Sequence, residues 1–282
     1  MHAASSASLG RTPRRITLPT GVELEYVEHG DPNGMVLIFL HGFTDSWRSW
    51  EDILPRIAPA YHSYALTQRG HGDSSKPACC YRVADYAGDV LAFMDALKLA
   101  QVTLIGHSMG SYIAYQVAGD HPGHVARLVL IGWGPIKPTS PAAAARVFEL
   151  YQYVQALENA IDPTFVRTFL ASTTVNALPA RELDKHLAES LKVPLAVWRQ
   201  MLASRLAADT HPAPSLVTAK TLVLYGDHDV YVREGQQVLA TVIPQATFLT
   251  YPETGHALHW DAPQRFVDDL HTFLATRGGQ MS

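Results

Sequence analysis

Gly106-His107-Ser108-Met109-Gly110 is the stretch of this chain best suited to make a side chain react. It follows the apolar run Val102 to Ile105 and precedes a helical-looking segment, Ser111 to Ala118. A G-x-S-x-G run between a strand and a helix lifts its serine onto a sharp, strained turn. The flanking glycines fit because a side chain at either place would crowd the neighbouring strand or helix. A hydroxyl presented in this way needs a base to take its proton, and the base needs an orienting acid. The pentapeptide alone also arises by chance, so its partners carry the case. His256 follows the strand-like Thr247 to Tyr251, and Asp227 and Asp229 follow the strand-like Thr221 to Tyr225. The chain order is serine, acid, histidine, with each at the C-terminal end of an expected strand. Open α/β sheets gather their sites at such ends.

Positioning these residues takes a scaffold of alternating elements. Val36 to Leu40, Leu128 to Ile131 and Thr221 to Tyr225 are nearly all apolar, as strands buried on both faces are. Ser63 to Leu66 and Thr247 to Tyr251 are weaker candidates, and Arg15 to Leu18 with Leu24 to Glu28 read as an antiparallel pair turning at Pro19-Thr20-Gly21. Ala84 to Leu97 and Pro263 to Thr276 carry helical apolar stripes. Strands alternating with helices predict a mostly parallel α/β sheet with helices on both faces. From Pro135 to Pro214 no strand is evident; Ala142 to Ala160, Pro163 to Ala171, Pro179 to Leu191 and Pro194 to Ala207 read as helices instead. The division expected is therefore a core over residues 15–134 and 215–277, a helical lid over 135–214, and flexible termini at 1–14 and 278–282.

The pattern resembles the α/β-hydrolase superfamily. The resemblance rests on His41-Gly42-Phe43, Arg69-Gly70-His71-Gly72-Asp73-Ser74, the 106–110 turn, Gly226-Asp227-His228-Asp229 and Gly255-His256. It implies that Ser108 is the nucleophile, His256 the base and Asp229 the acid, the usual G-x-x-D spacing selecting Asp229 over Asp227. It also implies an oxyanion hole from the backbone N–H groups of Phe43 and Met109. Serine at position 108 departs from the dehalogenase and epoxide-hydrolase siblings, which use aspartate there. Two further departures are Thr67-Gln68-Arg69, where an aspartate is common two residues before the Arg-Gly-x-Gly loop, and Ser111, where a glycine is common. Ester hydrolysis through an acyl-enzyme is the expected reaction. A lactonase, a carbon–carbon bond hydrolase, a perhydrolase and a slow-turnover ligand receptor keep the same three residues and stay open.

Composition narrows the setting. The 282 residues are 47% hydrophobic and 17% charged, with a formal charge of −4, which is ordinary for a globular chain and unlike a nucleic-acid binder. The one short basic run is Arg11 to Arg15. No secretory leader or membrane-length apolar run is read, so a cytoplasmic protein without a membrane partner is expected, acting on a small-molecule ester. Cys79 and Cys80 are the only cysteines; neighbours rarely bridge, so no disulfide is expected, consistent with a reducing compartment. The fourteen histidines show no metal-ligand spacing, and neither a metal nor a cofactor is expected. Phe148, Tyr151, Tyr153, Phe165, Phe169, Trp198 and Met201 could wall an apolar cleft with Trp133 near its floor, about half of them serving as packing instead. Trp133, Tyr151, Trp198, His41 and His107 are the expected substrate contacts, although His41 could equally brace its loop and His107 pack beside the serine.

Overall fold

The computed structural model describes residues 12–134, 141–207, 213–232, 243 and 246–276. Eight strands form one sheet in the order β1-β2-β4-β3-β5-β6-β7-β8. They are β1 (Arg14–Thr17), β2 (Glu23–Gly30), β3 (Met35–Leu40), β4 (Tyr61–Thr67), β5 (Val102–His107), β6 (Val125–Ile131), β7 (Lys220–Gly226) and β8 (Thr247–Tyr251). β1 pairs with β2, and β2 with β4, in antiparallel fashion. From β4 to β8 every pairing is parallel.

The apolar runs become the central strands because both sheet faces are covered. Along β3, Ile38 and Leu40 point into the layer of α1 (Val83–Ala96) and α2 (Met109–Asp120), while Leu37 and Phe39 point into the opposite layer. That second layer is closed by the last helix, α7 (Pro263–Ala275), whose Phe266, Val267, Leu270, Phe273 and Leu274 are buried. Residues of alternating direction are therefore all apolar, which is the signature of a parallel strand between helical layers.

Four helices stand between β6 and β7: α3 (Pro141–Ala156), α4 (Pro163–Ala171), α5 (Ala180–Ser190) and α6 (Leu195–Ala207). No strand occurs there among the described residues, as the sequence pattern implies. α3 stops at Ala156 rather than at Ala160. Its closing carbonyls are met from the side by the Arg199 guanidinium, which donates to those of Val154, Gln155 and Leu157, so the helix ends on α6 instead of continuing. The expected lid edges at 135–140 and 208–212, and the termini at 1–11 and 277–282, lie outside the described residues.

One expectation is overturned. Cys79 and Cys80 are joined to each other in a disulfide. Adjacent side chains normally diverge, but Cys80 takes the left-handed conformation, with φ 76°. Its carbonyl is held there by the Arg69 guanidinium at 2.9 Å, and Arg69 is itself fixed by Asp89. The pair therefore gives no support to the expected reducing compartment. No helix among the described residues is long and apolar enough to cross a membrane.

Candidate active site

β5 runs to His107 and α2 begins at Met109, so Ser108 is the whole turn. Its backbone has φ 51° and ψ −115°, in the sparsely populated region that side chains rarely enter. The turn persists because its surroundings determine it. The Ser108 N–H donates to the Ile131 carbonyl of β6 at 2.8 Å, and its carbonyl accepts from the Ser111 N–H at 2.9 Å. A Cβ on Gly106 would lie 2.2 Å from the Gly110 carbonyl oxygen, and one on Gly110 would lie 2.2 Å from that of Leu40. Ser111, the unusual residue of the turn, is fully buried and donates its hydroxyl hydrogen to the Ser108 carbonyl at 2.5 Å. At the other departure, Thr67 donates its hydroxyl hydrogen to Glu25 Oε2 at 3.1 Å, and Gln68 beside it donates its amide hydrogen to the His41 carbonyl at 2.9 Å and its backbone N–H to His41 Nε2 at 3.0 Å.

The loops after β7 and β8 bring the acid to the imidazole. The N–H groups of Asp227 and His228 donate to the carbonyls of Tyr251 and Thr254, and this clamps the two loops together. Asp229 is fully buried, and its Oδ2 lies 2.8 Å from His256 Nδ1. Its Oδ1 accepts from the N–H groups of Tyr231 and Val232, at 2.8 and 3.3 Å. Asp227 instead faces solvent and pairs with His228. With Asp229 as acceptor, the His256 proton sits on Nδ1, and Nε2 keeps its lone pair while the ring is neutral. Gly132 leaves space for this ring, since a Cβ there would lie 2.9 Å from two imidazole atoms.

Ser108 and His256 open onto one cavity of about 190 Å³. No hydrogen bond joins the Ser108 hydroxyl to the imidazole among the described hydrogen bonds. Phe43 and Met109 line the same cavity. Among the described residues, neither of their N–H groups donates to an acceptor. The cavity therefore holds a hydroxyl, an imidazole braced by a buried carboxylate and two unused backbone donors, the parts that acyl transfer requires.

The expected substrate contacts divide. His107 lines the cavity and donates from Nε2 to the His256 carbonyl at 3.2 Å, leaving Nδ1 without a partner. His41 does not line it; its two ring nitrogens are engaged with Gly42 and Gln68, so it braces its loop. Trp133 turns away into the core, packing on Tyr115 with ring centroids 4.8 Å apart. Trp198 lies one layer back, packed on Phe43 at 4.5 Å, and Tyr151 sits beside Phe148 away from the wall. Phe169 and Met201 do form wall, whereas Tyr153 and Phe165 pack on each other.

Residues that the sequence reading passed over also line the cavity, among them Asp45, Tyr231, Trp260 and Arg205. Asp45 comes two residues after Phe43 of His41-Gly42-Phe43 on the same loop, and that was the available signal. It is 3% exposed; burial pushes its carboxyl well above the usual carboxylate range, and its Oδ1 has no partner. Burial likewise pushes His107 well below the ordinary imidazole range, helped by His259 and His256. Despite the histidines packed here, no cluster of His, Cys, Asp and Glu among the described residues is arranged to hold a metal ion.

Residues 35–263 match the family model described as alpha/beta hydrolase fold. The chain is 29% identical over 267 residues to the dihydrolipoyllysine-residue acetyltransferase component of the acetoin cleaving system of Pseudomonas putida, covering 89% of this chain and 66% of that one. It therefore spans just under two thirds of that relative. It is 26% identical over 287 residues to 2-(acetamidomethylene)succinate hydrolase of Mesorhizobium japonicum, covering 96% and 98% of the two chains. The structure of an esterase from Exiguobacterium antarcticum superposes with a TM-score of 0.82 at 22% identity, over 94% of this chain and 100% of that one. At that identity the likeness is one of fold.

Proposed function

The chain belongs to the alpha/beta hydrolase fold family, and we propose that it is a serine hydrolase that cleaves small carboxylic esters through an acyl-enzyme. The observation that carries this reading is the convergence, on one cavity, of Ser108 on its strained turn with the His256–Asp229 pair. Relatives and fold neighbours whose names include a hydrolase and an esterase agree with it.

In the proposed reaction the Ser108 hydroxyl oxygen attacks the ester carbonyl carbon. His256 Nε2 takes the hydroxyl proton and then gives it to the departing alkoxide, so the alcohol leaves neutral. Asp229 keeps the ring in the useful tautomer and stabilises the imidazolium. The oxyanion accepts from the N–H groups of Phe43 and Met109; one such donor contributes about 3 kcal/mol to the transition state. Water, deprotonated by His256, then cleaves the acyl-serine and restores the hydroxyl. The contact between Ser108 and His256 is one that commonly tightens only in the substrate complex. The inserted helices supply wall residues such as Leu150, Phe169, Met201 and Leu202, so they act as the cover of the site.

The test is labelling by a fluorophosphonate with peptide mapping, together with steady-state hydrolysis of p-nitrophenyl butyrate. Label is expected on Ser108 alone. Ser108→Ala should lose at least about a thousandfold in kcat while keeping its circular dichroism. Label elsewhere, or a variant with near-normal turnover, sinks the assignment. A single burst with no further turnover would favour a ligand receptor over an enzyme.

A further inference from the structure

We propose that Arg205 is an anion-binding residue of this cavity and that the preferred substrate carries a carboxylate besides the bond to be cleaved; this deepens the ester-hydrolase reading and rests on it. Arg205 lies on α6, is half-buried and faces the cavity. It is the one Lys or Arg among the described lining residues.

Among the described residues nothing answers its charge. Arg205 makes no ion pair and no hydrogen bond with any described residue; its recorded contact is with the Tyr112 ring, 5.7 Å from Cζ. Two other arginines of the inserted helices are employed: Arg167 pairs with Asp184 at 2.6 Å, and Arg199 caps the end of α3. The described acids at the cavity do not balance Arg205. Asp229 is engaged by His256 and two backbone N–H groups. Asp45 is buried with its carboxyl held toward the neutral form. A guanidinium facing a largely apolar wall loses water when a substrate fills the space, and a charge desolvated without a partner is costly. A carboxylate on the substrate would remove that cost and would match the planar fork of donors.

Placement suits a ligand that reaches from Ser108 to this charge. Tyr112 is one helical turn beyond Ser108, about 6 Å along α2, and its N–H approaches the Ser108 carbonyl. A guanidinium over that ring lies a short alkyl chain away from the reacting carbonyl. The class of substrate indicated is the monoester of a medium-length dicarboxylic acid, or a lactone bearing a carboxylate.

The experiment compares wild type, Arg205→Gln and Arg205→Lys, all checked for fold by circular dichroism. The substrates are the p-nitrophenyl monoesters of adipic and suberic acids, each set against the neutral hexanoate or octanoate. The quantity read is the ratio of kcat/KM for the anionic ester to that for its neutral counterpart. In Arg205→Gln this ratio should fall about ten- to a hundredfold, the scale of a hydrogen bond to a charged group. Arg205→Lys should retain part of it. A ratio that is the same in wild type and both variants overturns the proposal, as does an equal loss on both kinds of ester. Those outcomes leave the hydrolase reading intact, because wild type still turns over the neutral esters. Failure of wild type on every ester, with no label on Ser108, would bring down the hydrolase reading itself.

Discussion

Acid should unfold this protein earlier than its carboxylates alone require, and the cause is buried imidazole. Five histidines, at 41, 71, 107, 186 and 259, are almost wholly buried, and burial holds each below the ordinary imidazole range. His71 is pushed down to about 4 and His186 to about 3. The unfolded chain binds a proton at each near pH 6.5, whereas the folded chain resists it. Below that pH the unfolded state holds more protons, so stability is full above about 6.5 and drains away as pH falls. Between pH 7 and 5 the loss is about 2 kcal/mol for each fully resistant histidine, or about 4 kcal/mol for His71 and His186 together. That is a large share of a typical stability of about 5–15 kcal/mol. Asp45 and Glu25, whose carboxyls burial raises, work in the opposite direction, so a single site gives the cleaner test. His186 stacks on Trp260 with ring centroids 4.0 Å apart. His186→Phe keeps an aromatic ring there and removes the titration. Urea unfolding at pH 7, 6 and 5, followed by tryptophan fluorescence, should give the variant a shallower pH dependence by about 1.4 kcal/mol per pH unit below 6.5. Parallel profiles for the two proteins would refute the reasoning.

Three further outcomes are expected. Asp229→Asn should reduce kcat by about ten-thousandfold, the cost of a wrongly held imidazole, while Asp227→Asn, at a solvent-facing site, should stay within about threefold; the reverse order would move the acid. Gly110→Ala should cost about 1–3 kcal/mol and several degrees of Tm, since its Cβ would meet the Leu40 carbonyl; an unchanged Tm would show that the turn can give way. Trp133→Ala should cost about 3–5 kcal/mol of stability as a core truncation, whereas Met201→Ala should act chiefly on KM for larger acyl groups. Kinetics of the two on a chain-length series of p-nitrophenyl esters would expose any exchange of those roles.

Much of this was legible in the chain itself because it depends on local pattern. Apolar runs such as Val36 to Leu40 become central strands since both faces are covered, and the two glycines at 106 and 110 anticipate a turn whose neighbours sit within van der Waals contact. Of the two acids that follow β7, Asp229 is the one whose carboxylate lies on the His256 imidazole. Side-chain direction was not legible. Trp133 follows β6 at the edge of the site, yet its ring turns toward α2 and Tyr115. α6 shows no clean apolar stripe, because it meets the core through Trp198 and the cavity through Met201 and Arg205. Which of its residues faces which surface is fixed only when the helix docks. The cysteine pair escaped for a similar reason: its bridge depends on a backbone conformation at Cys80 that a distant arginine holds.

The inserted helices do more than line the cavity, because the backbone on either side of His256 is tied to them. The Ala257 N–H donates to the Thr173 carbonyl, just beyond α4, at 2.8 Å. Gly255 packs against that same carbonyl so closely that a Cβ would lie 2.6 Å away. The Asp261 carboxylate accepts three N–H groups, from Gly255 at 2.8 Å and from Val175 and Asn176 at 3.0 Å each. One carboxylate thus joins the histidine loop to the segment linking α4 and α5. Pulling the end of α4 outward would break the three bonds that cross, from Ala257 to Thr173 and from Val175 and Asn176 to Asp261, each contributing about 1 kcal/mol or somewhat more where the acceptor is charged. It would also drag the imidazole away from Ser108. The position of His256 is therefore set jointly by the sheet, through Asp229, and by the insertion, through Thr173 and Asp261. A substitution in the α4–α5 linker that never touches the cavity can reach the chemistry by that route.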